Sequence, residues 1–301
     1  MATIQWEMPT RLQYWEVDWS GPFLVEVWEK LGEGVHSWVY RGIKNDGGDC
    51  AVKIFKVPGE CEKEINCLSY VQRIPGCTRV LGYVGSVMYR PEGILLLLDG
   101  ISLKQRLKLN VFDRLYAYTQ FLVDTLTLFK AIEALHNLSY CHTDIKPSNI
   151  LLRLLPEDGS RLIDFGKLYR PGDSLRFPEA CYCEYGKRYE TPGSGSDVFS
   201  AGATTLEYLV CVVWGPGGVE RFRRERQIEQ RHEDSCEWTP FFDIGNEVSG
   251  YRRSGVVSHY LGLLEMQNLE LPGILEVVAV LRGMLEVNPN QRLSIRDAVT
   301  G

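Results

Sequence analysis

Residues 140–152 read YCHTDIKPSNILL, and the interpretation of the whole chain starts from this stretch. It places a carboxylate, an amine and an amide close together, at Asp144, Lys146 and Asn149, and then runs into an apolar segment typical of a strand. A carboxylate can accept a hydroxyl proton, an amine can neutralise a moving phosphoryl group, and an amide oxygen can hold a metal ion. The pattern therefore predicts phosphoryl-transfer chemistry in this loop.

The segment directly downstream offers a second metal ligand. After a turn at 156–160, an apolar segment ends in the tripeptide DFG at 164–166. This tripeptide often occurs by chance, but its place just after the loop gives it weight. Asp164 supplies the hard oxygen that magnesium prefers, so we expect Asp164 and Asn149 to hold Mg²⁺.

The segment upstream of both motifs is punctuated by glycine. Residues 31–39 read LGEGVHSWV, and glycines let a backbone approach phosphates closely, although such a loop alone is weak evidence. The strand-like segment CAVKIF follows at 50–55 and carries Lys53. A lysine on a strand is ordinarily a solvated charge, but after a glycine-rich loop a catalytic role is the better interpretation.

A catalytic lysine needs a carboxylate to hold it, and the helix predicted over 60–71 offers three. Glu64 is favoured, because the apolar residues around it turn that face toward the core. Glu60 and Glu62 stay open as rivals.

The character of the sequence changes near residue 100. Strand patterns with glycine turns dominate 25–100, whereas helices are predicted over 112–137, 197–213 and 275–286. We expect an α+β fold with a strand-rich N-lobe at 25–100, a helical C-lobe at 101–301 and a ligand site between the lobes.

Two segments carry no chemical signature. Residues 1–24 form an aromatic-rich extension, which would either cap the first lobe or bind a regulatory partner, and a cap is the simpler interpretation. Residues 215–260 form an uncertain insertion with dense charge at 221–234. That charge predicts a solvated helix or a mobile insertion, with a docking surface for a substrate or partner as the alternative.

Composition narrows the function classes. The chain has 301 residues, of which 45% are hydrophobic and 24% charged, as in ordinary soluble proteins. A net charge of -6 argues against a nucleic-acid partner, and the nine cysteines lack metal or disulfide spacing. No secretory signal or membrane-length apolar run is seen. We therefore expect a cytoplasmic or nuclear protein with reduced thiols and no membrane partner.

Together these motifs resemble the eukaryotic protein kinase superfamily over about residues 25–300. The loop at 140–152 is similar to H-R-D-x-x-x-x-N, the segment at 31–39 to G-x-G-x-x-G-x-V, and the strand at 50–54 to V-A-I-K. The resemblance implies a bilobal kinase that moves the γ-phosphoryl group of ATP-Mg to a protein hydroxyl, with Asp144 as base. ATP would contact Leu31, Gly32, Gly34, Val39, Ala51, Lys53, Leu98 and Leu151.

The resemblance also implies supporting residues. Residues 176–179 read RFPE where the family has A-P-E, so Glu179 would pair with Arg292 in a structural ion pair. Asp197 would brace the backbone of the catalytic loop. An alternative alignment puts residues 189–192 at A-P-E, but Glu190 then lies too close to Asp197.

The subtype is less defined than the superfamily. Lys146, two residues after Asp144, resembles the serine/threonine type of kinase. The sequence of the loop also resembles that of the Wee and eIF2α kinases. Wee-type enzymes phosphorylate tyrosine, so a tyrosine-directed kinase stays open as an alternative.

The sequence departs from the family pattern at Thr143, where arginine is usual, and at Ser37, where a third glycine is usual. Threonine cannot grip an activation-loop phosphate as arginine does, and the segment from Asp164 to Glu179 is short. These departures predict a kinase that is constitutively competent or regulated by partners.

Two other functional classes remain open. A pseudokinase or scaffold would bind nucleotide without turnover, although all the residues that the chemistry requires are present. A small-molecule kinase of related fold would share H-x-D-x-x-x-x-N but seldom the Lys-Pro that follows Asp-Ile here. Phosphate transfer to peptides or to small alcohols separates these classes.

Overall fold

The structure is a computed structural model that describes residues 11–16, 22–33, 37–44, 49–57, 60–71, 74–77, 80–84, 93–97, 100–153, 159–170, 193–229, 241–244 and 251–300. The chain divides into two compact units. The first runs to Asp99 without Ile74–Gly76, and the second comprises Ile74–Gly76 and the chain from Gly100 onward.

The first unit is built on an antiparallel barrel closed in the strand order β1-β2-β3-β4-β6-β5. Its elements are β1 (Arg11–Glu16), β2 (Pro22–Glu33), β3 (Ser37–Lys44), β4 (Asp49–Phe55), α1 (Glu60–Val71), β5 (Val80–Val84) and β6 (Gly93–Leu97). β4 pairs with β3 on one side and β6 on the other, and every residue from Cys50 to Phe55 is buried. The central strand therefore provides a fixed platform for Lys53.

Part of the segment 1–24, which the sequence predicts to be an aromatic-rich extension, belongs to strands of this barrel, while residues 1–10 and 17–21 lie outside the described residues. Tyr14 of β1 lies opposite Phe23 of β2 and opposite Val84 of β5, so β1 closes the barrel. β2 already begins at Pro22. The β1–β5 pairing joins residues about 70 positions apart, and a local sequence pattern carries no information about such a partner.

The second unit contains a three-stranded antiparallel sheet in the order β7-β8-β9. Its strands are β7 (Gly100–Ser102), β8 (Ile150–Arg153) and β9 (Ser160–Leu162). Ile150 lies opposite Leu162, so the residues just before β8 and just after β9 lie at the same end of the hairpin. This register brings two distant sequence motifs together.

Helices form most of the second unit. They are α2 (Leu103–Arg106), α3 (Arg114–Asn137), α4 (Ser194–Glu229), α5 (Gly255–Glu265), α6 (Ile274–Met284) and α7 (Ile295–Thr300), with a ribbon of β10 (Phe242–Ile244) and β11 (Tyr251–Arg253). α3 begins after Asp113, whose carboxylate accepts a hydrogen bond from the Tyr116 N–H. α3 packs on α4, where the Phe121 ring meets the Tyr208 ring edge-to-face at 5.2 Å between centroids. The predicted α+β architecture, strand-rich first and helical second, is confirmed.

α4 extends well beyond the predicted end at Val213. Gly215 has a φ of 69°, which ends the first helical segment, and Pro216 then suits the first turn of the second segment. The second segment is helical with one buried face, because Phe222 and Arg226 are at most 1% exposed, whereas Arg221, Arg224 and Gln227 are exposed. Arg226 donates to Glu207 at 2.8 Å, so part of the charge is paired in the core.

α4 is also long and apolar enough, by length and composition, to cross a membrane, and no other helix in the described ranges is. However, 89% of its most apolar window is buried inside the unit. Core helices with that degree of burial meet the same length and composition test.

Candidate active site

The loop between α3 and β8 gathers three predicted site residues around one carboxylate. Asp144 is 3% exposed, and its Oδ2 accepts from Lys146 Nζ at 3.0 Å and from Asn149 Nδ2 at 3.3 Å. Asn149 Nδ2 also donates to the Asp144 carbonyl at 2.9 Å. Pro147 starts a 3₁₀ turn (Pro147–Asn149), which directs Asn149 back toward Asp144.

The second carboxylate oxygen of Asp144 is left without a donor. Oδ1 is buried, and none of the residues that the structure describes donates a hydrogen bond to it. Burying a carboxylate oxygen without a donor costs free energy, because the oxygen loses its hydrogen bonds to water and forms none within the protein. Oδ1 is therefore well suited to accept a hydrogen bond from an incoming hydroxyl group.

A further cation reaches Asp144 that the sequence analysis did not identify. Lys167 Nζ lies 3.3 Å from Asp144 Oδ2, and 44% of the Lys167 side chain is exposed. The position of Lys167 directly after DFG could have indicated this contact, because the β8–β9 hairpin returns the segment after DFG to the loop.

Asp197, at the start of α4, accepts hydrogen bonds from the backbone of the loop between α3 and β8. It is 1% exposed, its Oδ2 accepts from the His142 N–H at 2.7 Å, and its Oδ1 accepts from the Thr143 N–H at 2.8 Å. His136 Nε2 lies 3.0 Å from Oδ2. This is the bracing of the loop backbone that the sequence predicted for Asp197.

His142 links the loop to the segment that carries Asp164. Its Nδ1 lies 3.3 Å from the Asp144 N–H, and its Nε2 lies 3.0 Å from the Ile163 carbonyl. A neutral ring with the hydrogen on Nε2 satisfies both contacts, since Nδ1 then accepts and Nε2 donates. The ring also meets Phe165 edge-to-face, at 5.1 Å between centroids.

Thr143 stands where the family pattern has arginine, and its side chain makes a different contact. Its φ of 63° lies in the left-handed region, which is unfavourable for a β-branched residue, and its Oγ1 donates to the Lys167 carbonyl at 2.7 Å. Cys141 and Tyr169 exchange two backbone hydrogen bonds, of 2.7 and 2.9 Å. The loop and the segment after DFG are thus joined at Cys141 and at Thr143.

The two predicted magnesium ligands lie at one end of the β8–β9 hairpin. The Ile163 N–H donates to the Asn149 carbonyl at 3.0 Å, and Asp164 is the residue that directly follows Ile163. Asp164 has a φ of 64°, a conformation that aspartate tolerates better than most residues. A carboxylate and an amide oxygen are hard donors, so this donor set fits Mg²⁺.

In the first unit, Lys53 and Glu64 form a buried ion pair. Lys53 Nζ lies 2.8 Å from Oε1 and 2.6 Å from Oε2 of Glu64, and the two residues are 8% and 3% exposed. Of the three carboxylates that the sequence offered, the structure thus places Glu64 on Lys53. Glu60 is half-buried and Glu62 is exposed.

The other predicted nucleotide contacts are distributed over both units. Val39 lies opposite Lys53 in the β3–β4 register, and Ala51 is 7% exposed. Leu31, Gly32 and Val39 are half-buried in the first unit, and Leu151 is 8% exposed in β8 of the second. Gly34 and Leu98 lie outside the described residues, as does Glu179. Arg292 donates to the Gly195 carbonyl at 2.6 Å and to the Glu286 carbonyl at 2.8 Å.

Charged side chains fix the start of the glycine-rich segment. The Glu33 carboxylate accepts from Lys30 and Lys56, both at 2.5 Å, and from Trp38 Nε1 at 3.0 Å. These donors, Lys30 first, lower the pKa of Glu33 to about 2. Ser37, at the third-glycine position, is 9% exposed at the start of β3.

One other group of potential metal ligands occurs within the described ranges. His136, Cys141 and Asp197 have ligand atoms within 4.8 Å of one another. Burial, aided by the charge of Asp197, raises the pKa of the Cys141 thiol to about 12. None of the six cysteines that the structure describes forms a disulfide.

Comparisons with known proteins give one family. The sequence profile described as "Protein kinase domain" matches residues 25–300. "Calcium-dependent protein kinase 28" of Oryza sativa subsp. japonica is 29% identical over 209 residues, which cover 62% of this chain and 37% of that protein. "Calcium-dependent protein kinase 24" of the same plant is 29% identical over 209 residues, covering 62% of this chain and 38% of the relative.

A third relative comes from a distant organism. "Probable serine/threonine-protein kinase cdc7" of Dictyostelium discoideum is 28% identical over 148 residues, covering 46% of this chain and 13% of that protein. The matched part of the chain thus spans less than two fifths of the length of each of these relatives.

Proposed function

The chain belongs to the protein kinase family, and we propose that it transfers the γ-phosphoryl group of ATP to a serine or threonine hydroxyl of a protein substrate. The observation that carries the proposal is the Asp144 carboxylate, with one oxygen fixed by Lys146 and Asn149 and the other buried and without a donor.

Each side chain would have a separate task. Asp144 Oδ1 would accept the hydrogen bond, and then the proton, of the substrate hydroxyl. Lys146 would hold Asp144 in place through its Oδ2 and offer positive charge beside the transferred group. Lys53, oriented by Glu64, would contact the α- and β-phosphates of ATP. Magnesium held by Asn149 and Asp164 would neutralise charge on the ATP phosphates.

The serine/threonine preference is supported by two observations of different kinds. Lys146 occupies the position that resembles serine/threonine kinases and contacts Asp144 directly. One of the relatives is described as a probable serine/threonine-protein kinase. A tyrosine-directed kinase is the alternative, and phosphoamino-acid analysis of the product distinguishes the two.

We also propose that the enzyme needs no activation-loop phosphate. An arginine at position 143 would require such a phosphate as its partner. Thr143 is instead satisfied by the Lys167 carbonyl within the same unit. Phosphatase treatment of the purified protein is therefore expected to leave its activity unchanged, and a loss of activity would contradict this part of the proposal.

The decisive experiment measures transfer of labelled phosphate from ATP and magnesium to generic protein substrates. Asp144→Asn is expected to reduce transfer by about 10²–10⁴-fold, the usual contribution of a general base, without loss of ATP binding. The exposed Asp49→Asn, a matched change outside the site, should keep wild-type transfer.

Other results would point to the other classes. Nucleotide binding by the wild type without transfer would indicate a pseudokinase. Transfer to small alcohols in preference to peptides would indicate a small-molecule kinase. Unchanged transfer by Asp144→Asn would refute the role of Asp144 as base.

A further inference from the structure

We infer that Lys167 recognises an anionic side chain of the protein substrate, a carboxylate or a phosphate adjacent in sequence to the acceptor hydroxyl. This inference rests on the proposed kinase activity, because it concerns the substrate of that same site.

The first observation is the charge balance at Asp144. Lys146 Nζ and Lys167 Nζ lie 3.0 and 3.3 Å from the same oxygen, Oδ2. One carboxylate charge is thus shared by two ammonium groups, and Asn149 donates to the same oxygen. Lys146 is the closer and less exposed of the two, so Lys167 carries the surplus positive charge at this oxygen.

The second observation is the accessibility of that surplus charge. The Lys167 side chain is 44% exposed, against 24% for Lys146 and 4% for Asp144. An ammonium group has three donors, so its contact with Asp144 does not exhaust its capacity for hydrogen bonds. Lys167 can therefore meet a group that approaches from solvent.

The third observation is that the backbone of Lys167 is fixed. Its carbonyl accepts from Thr143 Oγ1 at 2.7 Å, and two residues later Tyr169 is paired with Cys141 by two backbone hydrogen bonds. A cation anchored in this way loses less conformational freedom on binding than one on an unsupported loop. Its position is therefore suited to selecting among substrates.

The distance to the acceptor follows from the same carboxylate. A hydroxyl bound to Oδ1 at about 2.7 Å would lie roughly 6 Å from an ammonium that contacts Oδ2. Neighbouring Cα atoms in a peptide are about 3.8 Å apart, so a side chain next to the acceptor can reach Lys167. An anion there would compensate the surplus charge with a charge-assisted hydrogen bond.

The test compares kcat/KM for peptides that share one acceptor serine and differ in its neighbours. Alanine, glutamate, phosphoserine or lysine is placed on either side of the acceptor. The wild type is expected to favour an anionic neighbour over alanine by about tenfold, which corresponds to roughly 1.4 kcal/mol. The ratio between the glutamate and phosphoserine peptides shows which anion is preferred.

Variants then assign the preference to Lys167. Lys167→Met should bring the ratio of anionic to alanine peptide close to one, Lys167→Arg should keep the preference, and Lys167→Glu should shift it toward the lysine peptide. Arg170→Glu is the matched control, because Arg170 is exposed three residues away and its guanidinium lies 5.8 Å from the Tyr140 ring. That variant should keep the wild-type ratio.

The outcomes separate the two proposals. An active wild type without preference for anionic neighbours, or a preference that survives in Lys167→Met and Lys167→Glu, overturns the role of Lys167 alone. A raised KM for ATP in Lys167→Met with an unchanged peptide ratio overturns it as well. No transfer to any peptide by the wild type overturns the proposed kinase activity and this inference with it.

Discussion

At the scale of single residues, Asp124 in α3 is a buried carboxyl outside the proposed chemistry. It is 2% exposed, and burial raises its pKa from 3.8 to about 6, although hydrogen bonds from Tyr208 and Gln120 and the charge of Arg106 oppose the rise. The folded state therefore favours the protonated acid. Its contribution to stability is fully present below pH 4 and is lost as the pH rises through about 6.

This linkage predicts that Asp124→Asn stabilises the protein at pH 8. The rise in pKa from 3.8 to about 6 corresponds to roughly 3 kcal/mol, and an asparagine can still accept the Tyr208 hydrogen bond. Thermal melts should show a higher Tm for the variant at pH 8, and this gain should shrink as the pH falls through about 6 toward 4. The exposed Asp49→Asn should show no such gain, and an Asp124→Asn protein that melts below wild type at pH 8 would contradict the prediction.

Residue-level patterns predicted which side chains lie together where a short motif or one helix carries them. Asp144, Lys146 and Asn149 meet as expected, and Glu64 was selected over its rivals by the apolar phase of α1. Lys167 was not predicted, because its contact depends on how the β8–β9 hairpin returns the chain to the loop. The contact of Thr143 with the Lys167 carbonyl was hidden for the same reason.

At the scale of elements, the close approach of β9 to α3 requires glycine at position 159. Gly159 has a φ of 64°, and a Cβ there would lie 2.1 Å from Thr127 Oγ1. Gly159→Ala is therefore expected to lower the free energy of unfolding by more than about 1 kcal/mol. In contrast, nothing lies within 4 Å of a Cβ at Gly262, inside α5, so Gly262→Ala should stabilise by up to about 1 kcal/mol. Urea denaturation of both variants measures this, and equal effects would refute the packing argument.

The two segments of α4 are joined by a buried charge cluster. Glu207 in the first segment is 0% exposed and accepts from Arg226 at 2.8 Å and Arg223 at 2.6 Å in the second. Arg226 also lies between aromatic rings, 4.5 Å from the centroid of Phe222 and 3.8 Å from that of Phe241. The cluster therefore fixes the second segment against the first.

Glu207→Gln should consequently be severely destabilising. It removes the buried carboxylate charge that Arg223 and Arg226 contact, and breaking a buried ion pair of this kind costs about 3–5 kcal/mol. Glu270→Gln breaks the exposed pair with Arg114 and should cost less than about 1 kcal/mol. Chemical denaturation of the two variants compares these losses, and a small effect of Glu207→Gln would mean that the cluster contributes little.

Elements were predictable where their pattern is local. The helix predicted over 112–137 is found as α3, but Leu115, Leu122 and Leu126 of its predicted apolar stripe are 57%, 37% and 41% exposed. The charge-dense second segment of α4 also has a buried face that the sequence did not show, because a charge that is paired in the core looks the same in sequence as a charge in water. In both helices, contacts with residues distant in sequence decide which side chains are buried.

At the scale of the whole molecule, the change of sequence pattern near residue 100 predicted the division into two parts. It did not predict that the strands of the first part close into a barrel. Deleting residues 1–16 removes β1, which leaves β2 and β5 without a partner on one side. We expect this deletion to lower Tm by more than roughly 4 °C and to speed amide exchange in β2 and β5. A deletion of residues 1–10 retains β1 and serves as the control, and equal effects of the two deletions would contradict a stabilising role for β1.

Closure of the barrel also has a consequence for the nascent chain. β1 leaves the ribosome about 70 residues before β5, which is roughly 4–14 s at ordinary rates of translation. During that interval β1 and β2 can pair as a hairpin, but the outer edge of β1 has no strand to bind. The first part of the protein can therefore complete its fold only after β5 and β6 have been synthesised, and until then the growing chain is a candidate for chaperone binding.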